Sequence, residues 1–152
     1  MRNMGRTEFE DDVLRIDAQT KDPMEVFFVL VNKTQHDLRI DWRRAKFVDI
    51  YSKTHPVAAT QMPSFKVDNL AEGHTEDDGT FTEIKRAQFV RIRLTPPDRP
   101  YITKVWSWEV QGMKRRTVEV SFPLQVEGKS YEYLSTFRIT KFDWERKPSN
   151  PL

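Results

Sequence analysis

Thr117-Val118-Glu119-Val120-Ser121-Phe122-Pro123-Leu124-Gln125-Val126-Glu127-Gly128-Lys129-Ser130-Tyr131-Glu132-Tyr133 is the stretch that decides the fold class. Val118, Val120, Phe122, Leu124 and Val126 recur every second residue, with Thr117, Glu119, Ser121 and Gln125 between them. A helix would scatter those five side chains around its circumference, whereas a strand puts them all on one side. Glu127-Gly128 interrupts the pattern, and Tyr131, Tyr133, Phe137 and Ile139 resume it. The spacing predicts a hairpin in which Gly128 supplies the positive φ of a tight turn. Pro123 cannot donate a ladder hydrogen bond, so its strand is expected to lie at a sheet edge or to be bulged there, and such an edge is a place for strand addition by a partner.

Working outward, Val13 to Ile16 reads as a short first strand, and Met24 to Val31 as a central strand covered on both sides. Leu38, Ile40 and Trp42 alternate with Arg39 and Asp41, and Val90, Ile92 and Leu94 alternate with Arg91 and Arg93. Phe47 to Tyr51 and the aromatic stretch Ile102 to Val110 are further extended segments. Residues 52–86 carry Pro56, Pro63, Gly73 and Gly79 with little periodicity and read as one long irregular connection, and Thr95 to Pro100 as a stiff proline-rich link. About seven to eight strands with turns between them and no amphipathic helix predict an all-β fold, an Ig-like antiparallel β-sandwich. The expected layout is a flexible segment at 1–8, one domain over 9–146 and a flexible tail at 147–152.

The totals narrow the function. The 152 residues suit a single domain able to bury a core unaided, and the absence of cysteine excludes disulfides, thiolate metal sites and a cysteine nucleophile. Lys and Arg number 25 against 23 Asp and Glu, a net +2, so the strong basic excess of a nucleic-acid binder is missing. The longest apolar run, Val26 to Val31, is far short of the roughly 20 residues of a membrane helix, and Met1 to Arg6 lacks the apolar stretch of a secretory signal.

Four groups of residues carry possible chemistry. Glu76, Asp77 and Asp78 are the leading metal candidates, since calcium takes several oxygen ligands; the competing reading is a solvated acidic loop, as it is for Glu10-Asp11-Asp12. His36, His55 and His74 have no partner at a metal-ligand spacing and are read as loop residues. Ser64 and Ser107 lack the glycine flanks of a nucleophile elbow, so no catalytic residue, metal or cofactor is assigned. Lys114, Arg115 and Arg116 with Arg91, Arg93 and Arg138 would make a basic stripe, and Tyr131, Tyr133, Trp106 and Trp108 would supply stacking faces; that is the basis of the alternative reading, a cytoplasmic nucleic-acid-binding β-domain. Trp106 and Trp108 share one face of a strand and are either core or an exposed partner-binding patch, with Arg115 and Arg116 beside them as partner-binding candidates. Asn32-Lys33-Thr34 matches the glycosylation acceptor pattern, which a turn explains equally well. Trp42, Trp106, Trp108, Phe122, Tyr131 and Phe137 are expected to be at least half buried.

The hairpin Phe122 to Tyr133 followed by Phe137, with Asn32-Lys33-Thr34, Ile40-Asp41-Trp42 and Phe47-Val48-Asp49 upstream, resembles small uncharacterised bacterial envelope lipoproteins in order and spacing over roughly residues 11–140. The resemblance implies a signal peptide, a lipidated cysteine and an Ig-like sandwich, and it brings no catalytic residue with it. This chain departs from it in having no cysteine for the lipid. The resulting expectation is a non-enzymatic binding or scaffolding module of the envelope. Its partner would be another envelope protein or assembly rather than nucleic acid, with membrane contact only through a removed lipid anchor. The location would be the periplasm or envelope if a signal has been removed, and otherwise the cytoplasm.

Overall fold

The computed structural model describes residues 5–22, 25–49, 52–62, 70–97 and 117–138. Five strands come from the first half, β1 (Gly5–Glu10), β2 (Leu14–Asp22), β3 (Glu25–Asn32), β4 (Leu38–Asp41) and β5 (Lys46–Val48), with one 3-10 turn, Trp42–Arg44, between the last two. Five short ones follow, β6 (Thr54–His55), β7 (Ala58–Gln61), β8 (Ala71–Glu72), β9 (His74–Thr75) and β10 (Phe81–Ile84), and then the long β11 (Gln88–Thr95), β12 (Thr117–Val126) and β13 (Lys129–Arg138). Among the described residues no helix is long and apolar enough to cross a membrane.

The strands form two sheets. The first has the order β1-β2-β3-β11-β7, with the two-residue β8 parallel to β11 on the same side as β7. In the second, β12 is flanked by β13 along its whole length on one side, and by β4 and β5 in succession on the other; β10 and β9 extend beyond β4, and β6 beyond β5. With β4 and β5 taken as one interrupted strand, β2-β3-β11-β7 and β13-β12-β4/β5 reproduce the A-B-E-D and G-F-C sheets of the immunoglobulin sandwich. β1 is an addition at one edge, and the β8–β10 excursion is an insertion between D and E.

The expected alternation places the core. Along β12 the pattern of partial and full burial runs without a break from Thr117 to Leu124, and β3 shows the same pattern over eight residues. Inward side chains of both sheets meet around Phe122, whose ring lies 5.8 Å from Phe28 of the facing sheet, 5.1 Å from Trp42 and 5.8 Å from Tyr133. Trp42, Phe122 and Phe137 are all but fully buried, and Tyr131 packs partly covered against the same cluster. The outward residues of β3, Phe27, Val29 and Val31, are only partly covered, so this strand is fully sealed on one face rather than both.

The β12–β13 turn is tighter than glycine alone accounts for. Val126 pairs with Lys129, and both residues between them are left-handed, Glu127 at φ 51° and Gly128 at φ 75°. Positive φ at both central residues is the type I′ requirement, and its twist matches that of the strands.

Three expectations are corrected. Gly5 to Glu8, expected to lie outside the domain, pair with Asp17 to Thr20 as part of β1. The described residues of the stretch 52–86 form five strands; at two to four residues each, they are too short to display a period of two. Gly73 marks the crossing between sheets there: β8 pairs within the first and β9 within the second, and a Cβ on Gly73 would stand 2.7 Å from the Glu83 carbonyl oxygen. Finally, β12 is not an edge strand. Leu124 pairs with Ile40 and Ser121 with Lys46, so residues 122 and 123 on β12 face residues 41–45 on the other chain segment. Pro123, which has no N–H to donate, falls in that gap in the ladder.

Two side chains close the sandwich. Trp42 turns inward from the 3-10 turn, and its Nε1–H donates to Thr82 Oγ1 at 2.7 Å. Trp42→Ala is expected to cost about 3–5 kcal/mol in chemical denaturation. Trp42→Phe, which removes one of the two hydrogen bonds of the Thr82 hydroxyl and leaves the one it shares with Thr75 at 2.8 Å, should cost about 0.5–1.5 kcal/mol for the lost bond. At the β1–β2 corner Asp11 accepts from the Val13 and Leu14 amides, each at 2.8 Å, and from the Tyr133 hydroxyl at 2.9 Å. Burial pulls the Asp11 carboxyl upward, but these donors together outweigh it and hold the group below its ordinary range, while burial and the bond to Asp11 raise the Tyr133 phenol. A carboxyl depressed by folding adds stability that is complete above its unfolded value and is lost as the pH falls through the folded one. The stability gap between wild type and Asp11→Ala should therefore shrink below about pH 4. A gap that is unchanged between pH 7 and pH 3 would remove this corner from the account of acid sensitivity.

A candidate binding face on the second sheet

Alternation that sends Leu38 and Ile40 inward sends Arg39 and Asp41 outward, and the same rule puts Pro123, Gln125, Ser130 and Glu132 on that outer face. The register aligns them: Gln125 lies between Arg39 and Ser130, Pro123 opposite Glu132, and Phe81 opposite Asp41. A shallow groove of about 190 Å³, lined also by Pro123, Gln125 and Ser130, opens between Arg39, Arg44 and Phe81 on one side and Glu132 on the other.

The 3-10 turn shapes the basic wall. With Trp42 drawn into the core, Arg43 and Arg44 are carried outward and exposed. Asp41 caps the turn, accepting from the Arg43 backbone N–H, and the Arg43 guanidinium forks onto the same carboxylate through Nε at 2.9 Å and Nη2 at 3.0 Å. The hydrogen bond from Arg43 is the main reason the Asp41 carboxyl sits below the usual carboxylate range, against the opposing pull of burial. Phe81 lies between two guanidiniums, with Arg39 Cζ 4.1 Å and Arg43 Cζ 4.6 Å from its ring centroid. Asp41 is thus occupied by Arg43, and neither Arg39 nor Arg44 has a carboxylate within ion-pair distance among the described residues.

The same face ends in β13. This strand pairs with β12 continuously from Lys129 to Arg138 without a bulge, and among the described residues no strand pairs with its other side. Leu134 projects from it with 63% of its surface exposed.

The residues singled out from the sequence are distributed otherwise. Glu76, Asp77 and Asp78 form the turn between β9 and β10, all exposed; Asp78 accepts from the Thr80 amide and hydroxyl, and no group of three or more potential metal ligands occurs among the described residues. His36 and His74 are exposed beside Glu127 and Glu76, at 3.1 and 3.8 Å. His55 is no loop residue: it lies in β6, buried, with Nε2 2.6 Å from Asp49 Oδ2, while Asp49 Oδ1 accepts from the Lys53 amide and so ties the β5–β6 hairpin. Arg91 and Arg93 belong to the first sheet and Arg138 to the second, so these members of the basic stripe do not share a face. Tyr133 is buried in the core and offers no stacking surface. The amide nitrogen of Asn32 is buried and donates to the His36 and Ile84 carbonyls, which explains the Asn32-Lys33-Thr34 motif as a turn. Trp106, Trp108, Arg115 and Arg116 lie outside the described residues, as do the extended segment Ile102 to Val110 and the tail 147–152.

No family model matches the chain, and no curated protein does. Among solved structures the chain is similar to the GAE domain of GGA2p from Saccharomyces cerevisiae, at 11% identity and a TM-score of 0.33, over 90% of this chain and 97% of that one. It is also similar to the yeast GGA1 GAE domain, at 10% identity and a TM-score of 0.37, over 90% and 99%. A protein from Archaeoglobus fulgidus follows at 8% identity and 0.27, over 90% and 100%. Likeness at this level carries no functional argument; the Ig-like assignment stands on the strand order and register above.

Proposed function

We propose that this chain is a non-enzymatic binding or scaffolding module of the bacterial envelope, which engages another envelope protein through the outer face of the β13–β12–β4 sheet and the β13 edge, unpaired among the described residues. The observation that carries the reading is β13 itself: ten residues long, unbulged and without proline, it has no ladder partner on its far side among the described residues. Proteins usually shorten, bulge or cover such edges, because a row of unpaired N–H and C=O groups is a template for another strand. An edge left long suits strand addition, with main-chain hydrogen bonds giving affinity and alternate side chains giving selectivity. Leu134 and Thr136 are the exposed side chains such a strand would meet first. The placement in the envelope is supported by the resemblance of the hairpin and upstream turns to the lipoproteins.

Leu134→Lys should weaken binding of the protein that co-purifies with the native full-length chain by about tenfold, the effect of losing roughly 1.4 kcal/mol at an interface. In hydrogen exchange, that partner should slow the β13 amides more than those of any other strand. Protection confined to β2, β3 and β11 would place the interface on the opposite sheet and end this reading.

A further inference from the structure

We infer that the groove between Arg39, Arg44 and Glu132 is the seat for a single acidic side chain, glutamate or aspartate, carried by an extended segment of the protein partner. The inference rests on the binding-module reading and names what that module recognises. Three features of the groove lead to it.

Size comes first. At about 190 Å³ the groove is smaller than the roughly 300–1,000 Å³ of pockets that enclose small molecules. It has room for one side chain of a chain lying across the sheet.

Charge selects the side chain. Asp41 shares this face and feels the charge of Arg44, but its two carboxylate oxygens are bonded by the Arg43 fork, and neither Arg39 nor Arg44 has a carboxylate within ion-pair distance among the described residues. The Arg39 and Arg44 guanidiniums therefore keep their donors in a planar arrangement that matches a carboxylate, and charge-assisted bonds of this kind are about twice as strong as neutral ones. Arg39 is also steadied by the Phe81 ring, so less side-chain freedom is lost when it grips a ligand.

Position sets what stands beside the acid. Glu132 lies on β13 two residues along from Ser130, which is the residue across β12 from Arg39, so two strand spacings and a two-residue offset, about 12 Å, separate the two positions; among the described residues Glu132 has no hydrogen bond or ion pair. It disfavours a second acid at that distance and favours a basic residue two or three positions along the bound segment. The recognised element is thus an acid followed at short range by a base.

The test is a titration of the isotopically labelled full chain with the capped peptide acetyl-Thr-Glu-Thr-Lys-Thr-amide, followed by nuclear magnetic resonance. Saturable shifts at the Arg39, Asp41, Phe81 and Gln125 amides are expected. They should weaken about tenfold or more in the double variant Arg39→Gln/Arg44→Gln, whose thermal unfolding midpoint should fall by no more than a few degrees, the effect of losing one exposed contact between Arg39 and the Phe81 ring. An equal response to the peptide with Gln in place of Glu and Lys, or to inorganic phosphate alone, overturns the inference. The same double variant is then offered to the co-purifying partner. Loss of the partner with both Leu134→Lys and the groove variant supports the inference. Full binding by the groove variant, with loss in Leu134→Lys, overturns it and leaves the module reading intact. If both variants hold the partner at full affinity, the module reading falls, and with it this groove as the partner's acid seat.

Discussion

The structure depends on one packing event, the meeting of Phe122 with Phe28, Trp42 and Tyr133 between the two sheets. Phe122 stands midway along β12, the strand that holds the second sheet together, and every inward residue of that strand is in phase with it. Because the side-chain period of a strand is two, a slip of one residue would expose all five apolar side chains together and bury the polar set. The register of β13, β4 and β5 on β12 is therefore specified by burial on the inner face, which leaves the outer face free to carry residues chosen for other ends.

The interruption between β4 and β5 is where that freedom is used. Five residues, 41–45, stand against two on β12. The surplus is folded into a 3-10 turn capped by Asp41 and anchored by Trp42, which reaches Thr82 in the core. One local irregularity thus accommodates Pro123 within an interior strand, fixes the second sheet to the core, and projects Arg43 and Arg44 beside Arg39. The same tryptophan that stabilises the sandwich determines where the basic wall of the groove stands.

Much of this was legible in advance, for a clear reason. Long strands with one buried face write their geometry into the sequence, so β3, β11, β12, the β12–β13 turn and the burial of Trp42, Phe122 and Phe137 could be read directly. The short strands β6 to β10 could not, since two to four residues held by neighbours have no period to show. The groove was missed for the same reason. Arg39, Asp41 and Arg43 alternate visibly, but Phe81, which organises two of them, lies in the stretch that looked irregular. The buried pair of His55 and Asp49 likewise shows no spacing that distinguishes it from loop residues.

What the sequence by itself determined is the class of object: period-two alternation with no helical stripe requires stacked sheets, and a lack of cysteine means the core alone must hold them. What only the tertiary structure decided is which strands neighbour one another, and hence which charges share a face. Arg91 and Arg138 separate onto different sheets, whereas Arg39 and Phe81, some forty residues apart, become cross-strand neighbours. Alternation tells a residue whether it faces in or out. Its neighbour on that face is set by pairing across the chain, which local pattern does not encode.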